Sequence, residues 1–475
     1  MPTRTKPKTE EPAAPAIPSP LPQTHNSPVA DRLTRGKALR EHCSRKTHAE
    51  WKPPTNRANP IDLLIENSKG RIEELVPIRY GRMMANPFAF YRGAAAIMAY
   101  DLSHTPSTGL NVQACGDCHL LNFGGFATAE RKVIFDINDF DETSIAPWEW
   151  DVKRLAASFV IAGRSNSFSA ADCREAAHRV VQNYRTKLAE YSQRSILDVW
   201  YDTLDFDQII HNLPDKQSRN FYVKKLEAAA EQSAHEREFA KLAFAAGETP
   251  RIVDHPPLIY HFGDLRDAEQ RAIAEAGLAD YLKSLPPERR VLLDRYTMAD
   301  VAIKVVGVGS VGTFCGIALL MSGKGDPLFL QFKQARKSVL EPYAGANPFN
   351  HSGQRVVVGQ RLMQAASDMF LGWYTGAQGR HFYVRQLSDA KIKPVVEIMK
   401  PQNLLNYADL CGWALARAHA RSGDAAVLTG YLGTSTAFED AIADFSVAYA
   451  DQNERDHAAL VAAVRAGKVE ARSVE

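Results

Sequence analysis

CGDCHLLNFGGF (residues 115–126) and, after a polar turn, VIFDINDFDET (133–143) decide how this chain is read. Asp117 and Asn122 stand five positions apart, and an acidic cluster of Asp136, Asp139 and Asp141 follows. The segment FGGFATAERKVIFDI reads as strand, turn and strand, which folds the second cluster back beside the first. A short loop can then aim Asp117 and Asn122 at one centre, with Asp139 facing them. Two carboxylates and a carboxamide oxygen so placed suit phosphoryl transfer. One Asp orients the attacking hydroxyl, while the Asn and the later Asp hold metal ions on a triphosphate. Asp-rich loops also arise simply as turns and caps, because short polar side chains bond their own backbone. The stretch alone leaves both readings open.

Composition narrows the setting. A chain of 475 residues has room for about three domains with sizeable cores. Hydrophobic content of 45% and charged content of 24% place it with ordinary soluble globular proteins. A net charge of +2 excludes a global electrostatic binder of nucleic acid or membrane surface. No apolar run reaches the roughly 18 residues of a transmembrane helix. The start, MPTRTKPKTEEPAAPAIPSP, lacks the apolar stretch of a secretory signal. Cys43, Cys115, Cys118, Cys173, Cys315 and Cys411 are therefore expected as reduced thiols in a cytoplasmic protein. Cys115 and Cys118 form a CxxC, but the second pair that a structural zinc needs is missing.

Five segments follow from texture. Residues 1–30 read as a disordered tail, and 31–110 as short helices packed on a larger lobe, one of them starting at Asn59-Pro60. Residues 111–296 hold the acidic stretch and then a nearly all-helical region, with Ser169 as a cap and a break at TPRIVDHPPLIYHF. The highly charged run DKQSRNFYVKKLEAAAEQSAHEREFAKLAFAA belongs to that helical region. Residues 297–400 are rich in β-branched residues and glycine and read as a small mixed antiparallel sheet carrying one helix. Residues 401–475 return to helix, with a capping box at Thr436–Glu439 and a stripe of Phe438, Ile442, Phe445 and Tyr449.

The β-rich segment supplies the other half of a site. Gly307-Val-Gly309-Ser-Val-Gly312 is a GxGxxG motif, which two unrelated folds use. A dinucleotide fold needs a helix after it, and here the strand-like FCGIALLM follows. A glycine loop between two strands is the kinase arrangement, in which backbone amides cover the phosphates. Lys333 on the next strand matches the lysine that pairs with the α- and β-phosphates. Glu341 is the candidate partner for Lys333, although Pro342 disturbs a helix there. The parts come in the wrong order for an ordinary kinase, since the catalytic loop precedes the glycine loop. A circular permutation, with the helix of 404–423 returning to the catalytic loop, restores the order.

GDCHLLNFGGF, NDFDET and PWEWDVKRLA resemble the aminoglycoside-phosphotransferase branch of kinase-like proteins. The resemblance implies a catalytic Asp117, metal ligands Asn122 and Asp139, and a bracing Asp151, with His119 supporting backbone. From about Arg32 to about Ala462 the chain is also similar to a bacterial family known as domain of unknown function 2252, which brings no assigned activity. RYGRMMANPFAFYRG, CGDCHLLNFGGF, FDINDFDE and PWEWDVKRLAASF carry that likeness. The expectation is an α+β, circularly permuted protein-kinase-like bilobal fold. It would be an ATP- and Mg²⁺-dependent phosphotransferase, with Gly307, Gly309, Gly312, Lys333 and Glu341 on the nucleotide. The acceptor would be an unidentified small molecule or protein, with no nucleic-acid or membrane partner. Nucleotidyl (AMP) transfer on the same fold and a non-catalytic nucleotide sensor are the alternatives.

Overall fold

A computed structural model describes residues 26–212, 219–220, 223–224, 239, 241–246, 249–261, 268–305, 307–387 and 392–473. Of the expected tail of residues 1–30, residues 1–25 lie outside these, as does most of the charged run between 213 and 240, whereas Val29 and Ala30 begin the helix Val29–Ala38. The protein is α+β, with a helical body and small antiparallel sheets.

The helical body forms around Trp148–Ser165, a helix buried from Trp148 to Gly163. Against it lie Ala170–Gln193, Pro401–Ser422 and Ala437–Arg465. Small residues set the spacing: a Cβ on Gly412 would stand 2.4 Å from the Val180 carbonyl oxygen, so these two helices meet only because Gly412 has none. Caps begin the elements where polar side chains precede them. Asn59 Oδ1 accepts the Ile61 N–H at 2.8 Å, and Ser169 Oγ accepts the Asp172 N–H at 3.1 Å. The stripe of Phe438, Ile442, Phe445 and Tyr449 is buried as expected. The capping box is not formed, since Thr436 makes no side-chain cap and Glu439 instead receives Arg185 Nε at 2.5 Å.

The strands are β1 Asn111–Ala114, β2 Phe123–Ala127, β3 Val133–Ile137, β4 Ser144–Pro147, β5 Leu204–Asp205, β6 Ala243–Ala246, β7 Thr249–Ile252, β8 Ile259–Tyr260, β9 Tyr296–Lys304, β10 Cys315–Ser322, β11 Pro327–Gln334, β12 Gly372–Thr375 and β13 His381–Gln386. β12-β13-β11-β10-β9-β8 make one six-stranded antiparallel sheet, with helix Ser352–Met363 between β11 and β12 in sequence. Alternation sorts its faces. Leu328 and Leu330 pack with Leu320, Val384 and Tyr281 on one side, whereas Phe329 packs with Ile317, Leu319 and Leu387 on the other. On that second face Gln331 and Lys333 continue past the apolar patch toward the helical body. β2 and β3 form the expected hairpin. Ala243–Ala246, expected to end a charged helix, is instead a strand paired with Thr249–Ile252, and Ala243 packs with Leu242 against the sheet.

A buried charge pair ties hairpin to helix. Arg417 Nη2 reaches both Asp136 oxygens at 2.6 Å, and both side chains are fully buried. Asp136 also accepts the Ile137 and Ala365 N–H groups. Stripping the pair of one member leaves a charge without compensation in a dry site. Arg417→Met is expected to lower unfolding free energy by about 3–5 kcal/mol in urea titration. Adding Asp136→Asn should recover much of that loss.

Candidate functional site

The loop carrying Asp117 is shaped from one helix. Asp151, in the first turn of Trp148–Ser165, accepts the N–H groups of Cys115 (2.7 Å) and Gly116 (3.0 Å). Gly116 has φ 84°, and a Cβ there would lie 2.2 Å from the Glu142 carbonyl oxygen, so only glycine makes this turn. One helical turn beyond Asp151, Arg154 donates through Nε (2.8 Å) and Nη2 to Asp117 Oδ1, and through Nη2 to the Tyr91 carbonyl at 3.1 Å. Burial lowers the Arg154 pKa, but Asp117 and Tyr91 more than offset it and hold the guanidinium charged. Asp117 Oδ2 is left toward His119 Nε2, 3.8 Å away.

Asn122 Nδ2 donates to the Asp117 carbonyl at 2.7 Å, which tightens the loop and leaves its amide oxygen for another partner. Asn138 N–H donates to the Asn122 carbonyl at 2.7 Å, bringing the second acidic cluster alongside. Asp139 and Asp141 then sit in opposite electrostatic states. Burial and the neighbouring Asp141 charge raise the Asp139 pKa, and its Oδ1 accepts only the Asp141 N–H at 3.2 Å. Burial acts upward on Asp141 too, but the Lys333 charge overrides it and holds the carboxyl at about 2.

Lys333, at 4% exposure, comes from β11, where it lies opposite Tyr383 of β13 and Cys315 of β10. Its Nζ meets Asp141 Oδ2 at 2.7 Å, while Tyr383 OH donates to Oδ1 at 2.5 Å. Burial lowers its pKa, and Asp141, Tyr383 and Asp139 together raise it well above the usual lysine value. The loop of Gly307–Gly312 closes over the same place. Ser310 Oγ donates to Asp141 Oδ2 at 3.0 Å, and a Cβ on Gly309 would be 3.9 Å from Asp117 Oδ2. Arg71 Nη1 donates to the Val311 (2.6 Å) and Gly309 (3.0 Å) carbonyls, fixing the loop from behind.

The structure thus brings together Asp117, Asn122, Asp139, Lys333 and the glycine loop. Glu341 is not among them. Its Oε1 accepts the Ser338 N–H at 3.0 Å and lies 3.8 Å from Arg355 Nε, because Glu341 opens the short helix Glu341–Ala344 and its carboxylate turns back to the N–H of Ser338 just before that helix. Asp141 takes the lysine that was expected to pair with Glu341. His119 Nδ1 is buried without a hydrogen-bond partner among the described residues, and burial lowers the ring's pKa to about 3. Sequence reasoning gave no role to Arg154, Ser310 or Tyr383. Arg154 had a signal, its i+3 spacing from Asp151, whereas Tyr383 is placed only by strand register.

Cys115, Cys118 and Asp151 present three possible metal-ligating atoms within 4.8 Å of one another. Both Asp151 oxygens already accept backbone N–H groups, and burial raises both thiols, which disfavours the thiolate that a metal binds. The cluster is a brace for the loop. All six cysteines are buried and unpaired.

The site defines an α+β protein with an acidic, oxygen-rich centre set between a helical body and an antiparallel sheet that contributes a buried lysine and a glycine loop. The family described as an uncharacterized protein conserved in bacteria (DUF2252) matches residues 71–463, and the chain belongs to it. No curated protein and no solved structure matches the chain. Among the described residues no helix is long and apolar enough to cross a membrane.

Lys333→Met should be destabilising by about 3–5 kcal/mol, since it strands Asp141. The sign with pH is set by the depressed Asp141 pKa. The stability it contributes is complete above the ordinary 3.8 and is lost as pH falls through about 2. In urea titrations the gap between native and variant should be full at neutral pH and close between those values.

Proposed function

We propose that the chain is an ATP- and Mg²⁺-dependent phosphotransferase of kinase-like type, circularly permuted, acting on an acceptor hydroxyl. One observation carries this reading: Lys333 and Asp141 are 192 residues apart in sequence, yet they meet beneath a glycine loop and beside Asp117 and Asp139. A structural role alone would not require a glycine loop and a lysine from one sheet to converge on three carboxylates from another element. The strand–glycine loop–strand–lysine–helix succession of β9, β10, β11 and Ser352–Met363 also follows the kinase small lobe.

The donor set suits a hard cation. Asn122 keeps its amide oxygen free of the Asp117 carbonyl it ties down, and Asp139 accepts only one backbone N–H. These two would hold Mg²⁺, which when bound neutralises charge on the phosphate oxygens. Asp117, fixed through Oδ1 by Arg154, would receive the acceptor's proton at Oδ2. The acceptor oxygen forms the new P–O bond as the bond to the bridging oxygen of the leaving ADP breaks. Lys333 and the loop amides of Gly307–Gly312 would hold the triphosphate. Ser310 and Gly309 rest on Asp141 and Asp117, so the loop would lift to admit it.

Thermal unfolding with ATP, with Mg²⁺ and with both tests this directly, since a ligand of the folded state raises the midpoint by mass action. A shift that needs both and disappears in Asp139→Ala is the expected result. No shift at millimolar nucleotide would remove the proposal. A shift with ATP alone would favour a nucleotide sensor.

A further inference from the structure

Around the acids stand two cations that the fold does not use. Arg92 ends the short helix Pro87–Gly93, and its carbonyl would lie 3.5 Å from a Cβ on Gly309, at the tip of the glycine loop. Its backbone is one guanidinium away from the catalytic loop, because Arg154 bridges the preceding Tyr91 carbonyl and Asp117. Yet Arg92 Nε is buried and has no hydrogen-bond partner among the described residues. Of the acids within its electrostatic reach, Asp117 is held by Arg154, and Glu397 forms no ion pair with it. Lys393 approaches from the opposite side. The residue before it, Ile392, exchanges both backbone hydrogen bonds with Gly125 on β2, and the Ile392 carbonyl sits over Gly124, next to Asn138. Lys393 is exposed, lies within electrostatic reach of Asp139, Arg385, Arg92 and Lys333, and has no ion-pair partner among the described residues.

Elsewhere in this site Arg154 is paired with Asp117 and Lys333 with Asp141, while Arg385 donates to the Asn138 carbonyl at 3.1 Å and to Gln331 Oε1 at 3.3 Å. Holding two unmatched cations near one another costs energy unless an anion joins them. We propose that Arg92 and Lys393 form an anion subsite for a phosphate group, set between Asp117 and Asp139 at the tip of the glycine loop. The phosphate has two sources, the terminal group of the nucleotide or an anionic group on the acceptor. The choice between them rests on the function proposed above, whereas the subsite itself does not.

The test uses the full chain and the double variant Arg92→Gln/Lys393→Gln, with thermal midpoints under Mg-ATP, Mg-ADP, Mg-tripolyphosphate, and Mg-ADP plus inorganic phosphate. Neither side chain has a partner to lose, so the variant should melt as the native protein does without ligand. Arg92→Lys/Lys393→Arg serves as the rescue and as the control for folding. Native preference for Mg-ATP over Mg-ADP, reduced roughly tenfold or more in the variant and restored by the rescue, assigns the terminal phosphate. Equal response to both nucleotides, with a further native-only shift on adding phosphate, assigns an anionic acceptor. A native-only response to tripolyphosphate without any response to nucleotide keeps the subsite and removes the nucleotide reading. Identical responses of native and variant to every anion, or no response by the native protein to any of them, overturn the subsite.

Discussion

The ammonium of Lys333 is almost completely buried, and a buried charge is costly unless an opposite charge or hydrogen bonds meet it. That requirement fixes how the sheet sits on the helical body. Lys333 belongs to β11 and Asp141 to the segment after the β2–β3 hairpin, so satisfying one docks the two parts in a single relative position. Tyr383 adds a second bond from the neighbouring strand to the same carboxylate. Arg355, itself buried on helix Ser352–Met363, donates to the carbonyls of Asp141, Thr143 and Arg336, which ties the same segment to that helix and to the end of β11. Sliding β11 by one residue would turn Lys333 to the other face of the sheet and leave both charges alone. Apolar packing would tolerate several registers, and this ion pair tolerates one.

A second constraint sits inside Trp148–Ser165. Helices buried on all sides normally carry few polar residues, yet this one holds Glu149, Asp151, Lys153, Arg154 and Ser158 without exposure. Asp151, Arg154 and Ser158 serve the Asp117 loop: Asp151 receives its first two N–H groups, Arg154 clamps Asp117, and Ser158 accepts the Leu120 N–H at 3.0 Å. Their spacing of three and four residues puts them on one helix face. The loop therefore inherits its geometry from a rigid rod rather than from its own weak turn preferences.

Much of this was legible in the chain. Alternation marked β2, β3 and β9 to β13, and glycine placement marked the Gly307–Gly312 turn. Asn59 and Ser169 capped as local rules demand. Local rules failed where a distant group competed for the same atom. Glu439 is part of a correct capping-box pattern, but Arg185 reaches it from another helix, and a buried carboxylate gains more from an ion pair than from a neutral backbone N–H. Glu341 lost Lys333 to Asp141 for a different reason. Glu341 opens a short helix and its carboxylate turns back to the Ser338 N–H, while Asp141 reaches Lys333 from the segment after the β2–β3 hairpin. Tyr383 could not be found in advance, because its role depends on which strand lies beside β11. The Ala243–Ala246 strand was hidden by alanines, whose helical preference is overridden once Thr249–Ile252 offers a ladder of hydrogen bonds.

The contrast between Asp139 and Asp141 is the most informative feature of the acidic segment. They are two residues apart and share a half-buried setting, so composition cannot separate them. Partners do. Asp141 has a lysine, a tyrosine hydroxyl and a serine hydroxyl, which saturate its oxygens and leave it little capacity for another ligand. Asp139 has one backbone N–H, and the charge of Asp141 beside it raises the cost of its own ionisation. A fold selected only for stability would remove that repulsion, since an uncharged side chain could accept the same N–H. Retaining a carboxylate with free oxygen capacity next to a saturated one divides the labour between them. Asp141 holds the two parts of the protein together, and Asp139 keeps oxygen capacity that no described residue fills.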